Sequence, residues 1–225
     1  MSICLIILYC SEAIAALFGL LYFSKVKGTT FQWFSIYLVL IFLLDFIGNF
    51  IENSKVEQTY NVLYYNYLVI PVEFSFFFWL FYKISDTISN KRLSIILMGI
   101  YLVSLLIDFL YFSKHKFFFE SISYSIGNLL LLILIISFFI ELTNSEAILN
   151  YRQNRMFWIG IGLMIFYLGS LPYYGLRNTL AINYHKLNII YTDVSDILDS
   201  IMYLMFALSF IWGRPNSQSS YSSSA

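Results

Sequence analysis

Charged residues are scarce in this sequence, and their scarcity excludes several classes of protein. Only 12% of the 225 residues are Asp, Glu, Lys or Arg, whereas about 25% is usual for a soluble domain. The net charge is zero and basic residues do not cluster, so no electrostatic footprint for nucleic acid exists. Apolar residues make up 60% of the chain, which no water-soluble core requires. The composition therefore predicts an integral membrane protein.

The motifs of common metal and cofactor enzymes are also missing. The sequence has no His/Cys cluster for zinc, no Ser-His-Asp set, no P-loop and no dinucleotide-binding glycine fingerprint. Cys4 and Cys10 are the only cysteines and fall on opposite sides of one predicted helix, which excludes a mutual disulfide. A retinal Schiff base is excluded because the seventh predicted helix has no lysine. We expect no cofactor and no metal, and the sequence favours a non-enzymatic role.

Apolar runs of about 20 residues recur along the chain, the length that crosses a hydrocarbon core about 30 Å thick. They predict an all-α polytopic membrane bundle with seven transmembrane helices, forming a single domain over residues 1–213. Residues 214–225 are Ser-rich and poor in apolar side chains, which predicts a disordered tail. The predicted spans are Ile3 to Phe23, Phe31 to Ile51, Tyr60 to Tyr82, Leu93 to Phe112, Ser121 to Leu142, Met156 to Gly175 and Ile189 to Trp212.

Lysine and arginine are unevenly divided between the two sides of this topology. Because cytoplasmic loops are the richer in these residues, we predict an N-terminus outside and a C-terminus in the cytoplasm. The amino-acid usage suits an AT-rich bacterial genome, so the expected location is a bacterial cytoplasmic (inner) membrane, with lipids as partners. The predicted cytoplasmic set is Lys25, Lys27, Lys83, Lys91, Arg92, Arg152, Arg155 and Arg214, and the outer set is Lys55, Lys114, Lys116, Arg177 and Lys186.

Acidic residues occur inside the predicted spans. A charge at the bilayer centre costs at least about 2.5–3.5 kcal/mol, so such residues normally face the bundle interior and are candidates for function. At 100° per residue, neighbouring polar residues fall on the same stripe of each helix. Most of them lie in the outer half of the membrane, which predicts an outward-facing acidic, Tyr-rich cavity. The acids are Glu12, Asp45, Glu73, Asp108, Asp193, Asp196 and Asp199.

The predicted cavity should attract a small cationic or polar ligand or protons, because no basic residue lies within the spans to neutralise the acids. Glu12 is expected to act as a proton partner. On the seventh helix, Ile190, Val194, Ile197, Leu198, Ile201, Met202 and Met205 are expected to face lipid. The predicted ligand-binding residues are Asp45, Asn49, Glu73, Asp193, Asp196, Asp199 and Tyr203.

The run Ile70-Pro71-Val72-Glu73-Phe74 resembles the Pro-x-Glu-Glu element of small membrane-embedded carotenoid cyclases, which use carboxylates as acids and need no metal. The likeness covers four residues, Phe74 stands in place of the second Glu, and no family follows from it. It implies an acid role for Glu73.

Three functions are open at this point. The leading one is a sensor or transporter that binds its ligand in the acidic cavity. The second is a non-catalytic subunit or scaffold of a membrane protein complex, since the chain has neither a soluble domain nor a recognisable catalytic set. The third is an intramembrane enzyme acting on a lipid or isoprenoid, with Glu73 as the acid and Asp199 or Asp45 as its partner.

Overall fold

Seven helices that are long and apolar enough to cross a membrane account for most of the structure, a computed structural model. It describes residues 2–53, 58–112 and 121–213, and these residues contain no β-strand. The predicted all-α membrane bundle with seven spans is therefore confirmed. The tail predicted over 214–225 lies outside the described residues.

The helices are numbered α1 to α7 in chain order, and two of them contain a π-helical turn. A short helix, Phe23–Val26, follows α1, and a 3₁₀ segment, Glu146–Gln153, precedes α6. The bounds are Ile3–Leu21 for α1, Phe31–Asn53 for α2, Gln58–Tyr64, Tyr65–Val69 and Ile70–Ile84 for α3, Ile88–Ile107 and Asp108–Phe112 for α4, Ser121–Thr143 for α5, Arg155–Asn183 for α6 and His185–Trp212 for α7.

Short polar residues begin three of the helices. The first amide groups of a helix have no partner within it, and a Ser, Thr or Asn side chain can accept a hydrogen bond from one of them. Ser2 accepts from the Leu5 amide at 3.1 Å, Thr87 from the Asn90 amide at 3.4 Å, and Asn154 from the Met156 amide at 2.9 Å. These caps fix the first turns of α1, α4 and α6.

The helices form a closed ring in chain order. Each helix contacts the next, and α7 returns to contact α1. In addition α3 contacts α5, so α4 lies toward the outside of the ring. The interior surrounded by α1, α2, α3, α6 and α7 is where a central site can form.

Among the described residues, α6 and α7 have the most extensive contact between two helices, and they meet at a glycine. A Cβ placed on Gly162 would lie 3.0 Å from the Met205 Cβ and 3.1 Å from the Met202 carbonyl oxygen. The prediction that Met202 faces lipid is therefore wrong, since only 1% of this residue is exposed. Helix α7 packs against both α1 and α6, so its buried surface is wider than the polar stripe alone. Ile190, Val194 and Ile197 are exposed, as predicted.

Two acidic residues join neighbouring helices at opposite ends of the bundle. Asp108, at the end of α4, accepts a hydrogen bond from the Ser123 amide in the first turn of α5, at 2.7 Å. Glu141, at the end of α5, accepts from the Asp86 and Thr87 amides and from the Asn90 side chain, at 2.9, 2.7 and 2.6 Å. Carboxylates at helix N-termini are stabilised by the orphan amides and by the helix dipole.

We expect Asp108→Ala to lower the free energy of unfolding by about 1 kcal/mol, because the start of α5 loses its acceptor. Asp108→Asn keeps a side-chain oxygen and should cost less. Thermal unfolding of the purified protein in detergent measures both variants. Equal melting temperatures for wild type and Asp108→Ala would show that this cap does not stabilise the bundle.

Candidate ligand-binding cavity

A cavity of about 730 Å³ lies inside the ring, at the end where the N-terminus is found. Its walls come from α1, α2, α3, α6 and α7, with Tyr124 contributed by α5. Ser2, Glu52 and Ala181 lie at its rim and are exposed. The cavity therefore reaches the surface between the start of α1, the end of α2 and the end of α6.

Carboxylates dominate the polar lining of this cavity. Two predicted positions do not lie on its wall: Asn49, which was assigned to the site, and Asp108, which caps α5. Glu52 is an addition, and it falls on the wall because it is seven residues, or about two helical turns, from Asp45. Tyr203, another predicted site residue, lines the cavity too. The lining acids are Glu12, Asp45, Glu52, Glu73, Asp193, Asp196 and Asp199.

Two of these carboxylates are held by tyrosine hydroxyls from a neighbouring helix. The Tyr167 hydroxyl on α6 donates to the Glu73 Oε1 atom on α3 at 2.8 Å. The Tyr65 hydroxyl on α3 donates to the Asp45 carboxylate on α2. Each bond joins two walls of the cavity, so Glu73 and Asp45 have fixed orientations.

The position of Tyr65 follows from a local change in helix geometry. Pro71 has no amide hydrogen and its ring clashes with the carbonyl four residues earlier, so a regular α-helix is disrupted there. The chain forms a π-helical turn over Tyr65–Val69 instead, a feature that often occurs at functional sites. Gly48 on α2 leaves room for the Tyr65 ring, because a Cβ there would lie 2.8 Å from its Cζ atom. Together these residues bring Tyr65 to Asp45.

Unlike Glu73 and Asp45, Glu12 and Asp199 each have a carboxyl oxygen without a hydrogen-bond partner among the described residues. Glu12 is only 3% exposed, and its Oε2 atom has no hydrogen-bond partner among the residues that the structure describes. The same holds for the buried Oδ1 atom of Asp199. A buried polar atom without a partner costs about 1–3 kcal/mol. Glu12 and Asp199 are therefore the lining acids whose hydrogen bonding the described residues do not complete.

Arg177 also lines the cavity, which the sequence did not predict. The prediction ended the sixth span at Gly175 and assigned Arg177 to an outer loop, but α6 continues to Asn183. The guanidinium lies over the rings of Tyr173 and Tyr174, with Cζ 5.8 and 5.7 Å from the two ring centres. The spacing of Arg177 from this tyrosine pair, three and four residues, is the signal that could have identified it on the same helix face.

One helical turn below the cavity, the bundle interior is closed by packed side chains. Ala15 on α1, Tyr37 on α2, Phe77 on α3, Leu163 on α6 and Phe206 on α7 each lie three or four residues from a lining residue, and none is more than 3% exposed. The Tyr37 ring meets the Phe77 ring edge-on, with centres 5.2 Å apart. This layer, the cavity floor, closes the cavity at its deep end.

The residues that line the cavity suit an organic cation better than a metal ion. Among the described residues, no three His, Cys, Asp or Glu side chains come close enough together to hold a metal ion. Carboxylates and tyrosine rings spread around a cavity are instead suited to an organic cation, since ammonium groups bind to both. The volume falls within the range of about 300–1,000 Å³ that is typical of small-molecule sites.

No protein family model matches this chain, and no curated protein and no solved structure is significantly similar to it. Any statement about its function therefore depends on the geometry of the cavity.

Proposed function

We propose that this protein is a membrane receptor or carrier that binds a small organic cation in the acidic cavity. The observation that carries the proposal is the pair of buried oxygens, Glu12 Oε2 and Asp199 Oδ1, without partners in the described residues. Both belong to residues that line the same cavity. An ammonium group bound in the cavity would form charge-assisted hydrogen bonds with the carboxylates that line it.

The charge of the lining supports a cation over an anion. Seven acidic side chains and Arg177 line the cavity, and at low local dielectric their summed field repels a ligand with net negative charge. The tyrosine rings add favourable cation–π contacts. The wide separation of the carboxylates around the wall favours an extended organic cation over a compact metal ion.

The closed floor of the cavity favours a binding site over a channel that crosses the membrane. A channel needs polar groups along its whole length, whereas the cavity ends at buried aromatic and aliphatic side chains. This supports a binding event on one side of the membrane, as in a sensor or in the outward-open stage of a carrier. Sensing and transport would both begin with this same complex.

We further propose that the cavity faces outward and that the protein resides in a bacterial cytoplasmic membrane. The support is the excess of Lys and Arg in the loops at the opposite end from the cavity. Reaction of a single cysteine introduced at Ser2 with an impermeant maleimide in intact cells, in a background without Cys4 and Cys10, would test this orientation. Labelling only after the cells are opened would show that the N-terminus and the cavity face the cytoplasm.

Removing two of the acids should strongly weaken cation binding. We expect the double variant Asp196→Asn and Asp199→Asn to bind n-hexylamine at least tenfold more weakly than wild type, because two carboxylates are lost from the wall. Isothermal titration calorimetry of the purified protein in mild detergent measures the affinities. The matched control, Asp86→Asn with Glu146→Gln, removes the same charge from exposed positions outside the cavity and should bind normally.

Binding in the double variant that is as tight as in wild type would overturn the proposal. Mass spectrometry of the protein from its native membrane then separates the alternatives. A stoichiometric protein partner, together with cation binding that ignores Asp196 and Asp199, would favour the subunit or scaffold function. A retained lipid or isoprenoid lost in Glu73→Gln would favour the intramembrane enzyme.

A further inference from the structure

The acids of the cavity wall lie at two depths, and the deeper set, the inner acids, consists of Glu12, Asp45, Glu73 and Asp199. Glu12 lies within electrostatic reach of the other three, and Asp199 lies within reach of Asp45 and Glu73. Helical side chains tilt toward the N-terminus of their helix. Glu12 on α1 therefore points toward the mouth, where the cavity reaches the surface, whereas Asp45 on α2 points toward the floor. The two side chains converge at one depth.

Two further lining acids, Glu52 and Asp193, are the outer acids. Each shares a helix with an inner acid and lies nearer to the mouth. Glu52 is seven residues after Asp45 on α2, and Asp193 is six residues before Asp199 on α7. At 1.5 Å per residue, these separations are about 10 Å and about 9 Å along the helix axes. Two walls of the cavity therefore have a similar interval between an inner and an outer carboxyl group.

The seventh lining acid, Asp196, lies between these two sets and has a basic neighbour. Arg177 is the only basic side chain among the described lining residues, and it lies within electrostatic reach of Asp196. Opposite charges at this range attract each other, so the two residues together add little net charge to the cavity. No second basic side chain on the described wall offsets the inner and outer acids.

Tyrosine rings lie between the inner and the outer acids. Tyr9 is about one helical turn nearer to the mouth than Glu12, and it lies within electrostatic reach of both Glu12 and Glu52. The Tyr65 ring extends from α3 to the Asp45 carboxylate, to which its hydroxyl donates. The bodies of these rings are apolar. This part of the wall therefore suits a hydrocarbon chain.

We propose that the ligand is a linear diamine or polyamine, with one ammonium group at the inner acids, a second at the outer acids and a methylene chain across the tyrosine rings. This inference rests on the proposed function and adds the second positive charge and its distance from the first. Glu12 independently supports occupation of the inner acids, since it is 3% exposed and its Oε2 atom has no partner among the described residues. An interval of about 9–10 Å requires several methylene groups between the two nitrogens.

The experiment compares 1,6-diaminohexane with n-hexylamine, which has the same chain and one ammonium group, by calorimetry on the purified protein in mild detergent. Wild type should bind the diamine at least about tenfold more tightly, because the second ammonium group forms its own charge-assisted hydrogen bonds. A second pair, 1,3-diaminopropane and n-propylamine, separates reach from charge. The short diamine has the same charge but cannot reach both sets of acids, so its gain over n-propylamine should be much smaller.

Removing the outer acids should remove the advantage of the long diamine. In the double variant Glu52→Gln and Asp193→Asn, the gain of 1,6-diaminohexane over n-hexylamine should fall to about that of the short pair. The matched control, Asp86→Asn with Glu146→Gln, removes the same charge outside the cavity and should keep the wild-type gain. Glu52 is exposed, so the single variant Glu52→Gln should fold and lose part of the gain even if the double variant does not fold.

Three results would overturn the diamine and leave cation binding intact. These are equal affinities for 1,6-diaminohexane and n-hexylamine in wild type, equal gains for the long and the short pair, and a gain that the removal of Glu52 and Asp193 leaves unchanged. If neither n-hexylamine nor 1,6-diaminohexane binds to wild type, both proposals fail. The comparison of the four compounds on wild type decides the point without any variant.

Discussion

Gly162→Val should lower the free energy of unfolding by about 3 kcal/mol or prevent folding, because it adds volume where two helix backbones meet. A Cβ at this position already lies 3.1 Å from the Met202 carbonyl oxygen and 3.4 Å from the Met202 Cα atom. Backbone atoms cannot rotate away as the end of a side chain can, so the valine methyl groups must separate α6 from α7. Close approach at small residues is a main source of helix association in membranes.

Gly99→Val is the matched control, since it makes the same substitution in the interior of α4. A Cβ there would meet no atom within 4 Å, and Gly99 is exposed on a helix at the outside of the ring. Its melting temperature in detergent should equal or exceed that of wild type, because valine forms helix better than glycine. Similar losses of stability in both variants would show that the α6–α7 contact is not the cause.

The spans could be predicted from the sequence because the cost of polar groups in lipid leaves a direct trace in hydropathy. The ends of α6 and α7 could not. Hydropathy reports where a helix leaves the membrane, whereas α6 continues eight residues past the predicted end at Gly175 and α7 begins four residues before Ile189. At 29 residues α6 is about 43 Å long, well beyond the roughly 30 Å hydrocarbon core.

The error in the predicted end of α6 explains why Arg177 was not predicted to line the cavity. Placing Arg177 in a loop led to the prediction that no basic side chain neutralises the acids, whereas the longer α6 carries it onto the cavity wall. The acids themselves could be placed because each helix has one polar stripe. Asn49 shows the limit of that reasoning, since a stripe identifies one side of a helix and not the few positions on it that reach a cavity.

Local backbone geometry was also beyond the sequence pattern. The predicted span Tyr60 to Tyr82 included no local change in helix geometry, but the π-helical turn at Tyr65–Val69 rotates the preceding residues and brings Tyr65 to Asp45. The role of Asp108 depended on a partner 15 residues away, the Ser123 amide in the first turn of α5. Such contacts follow from how the helices pack, which periodicity within one helix does not reveal.

Glu12→Met should raise the melting temperature, the opposite of what loss of a structural residue would do. Glu12 is 3% exposed, and its Oε2 atom has no partner among the described residues, so the native carboxyl carries a desolvation cost of about 1–3 kcal/mol. Methionine has a similar length and no polar hydrogen-bonding demand. Replacing a buried polar group by an apolar side chain of the same size removes that cost, and the variant should also lose n-hexylamine binding.

Glu141→Met is the same substitution at a carboxylate whose hydrogen bonds are satisfied. It removes the acceptor for the Asp86 and Thr87 amides and for the Asn90 side chain, so the melting temperature should fall while n-hexylamine binding persists. Opposite shifts in the two variants would mean that Glu12 is retained at a cost to stability, as expected of a binding residue. If Glu12→Met destabilises the protein as Glu141→Met does, Glu12 joins helices together and the cavity loses its main claim to function.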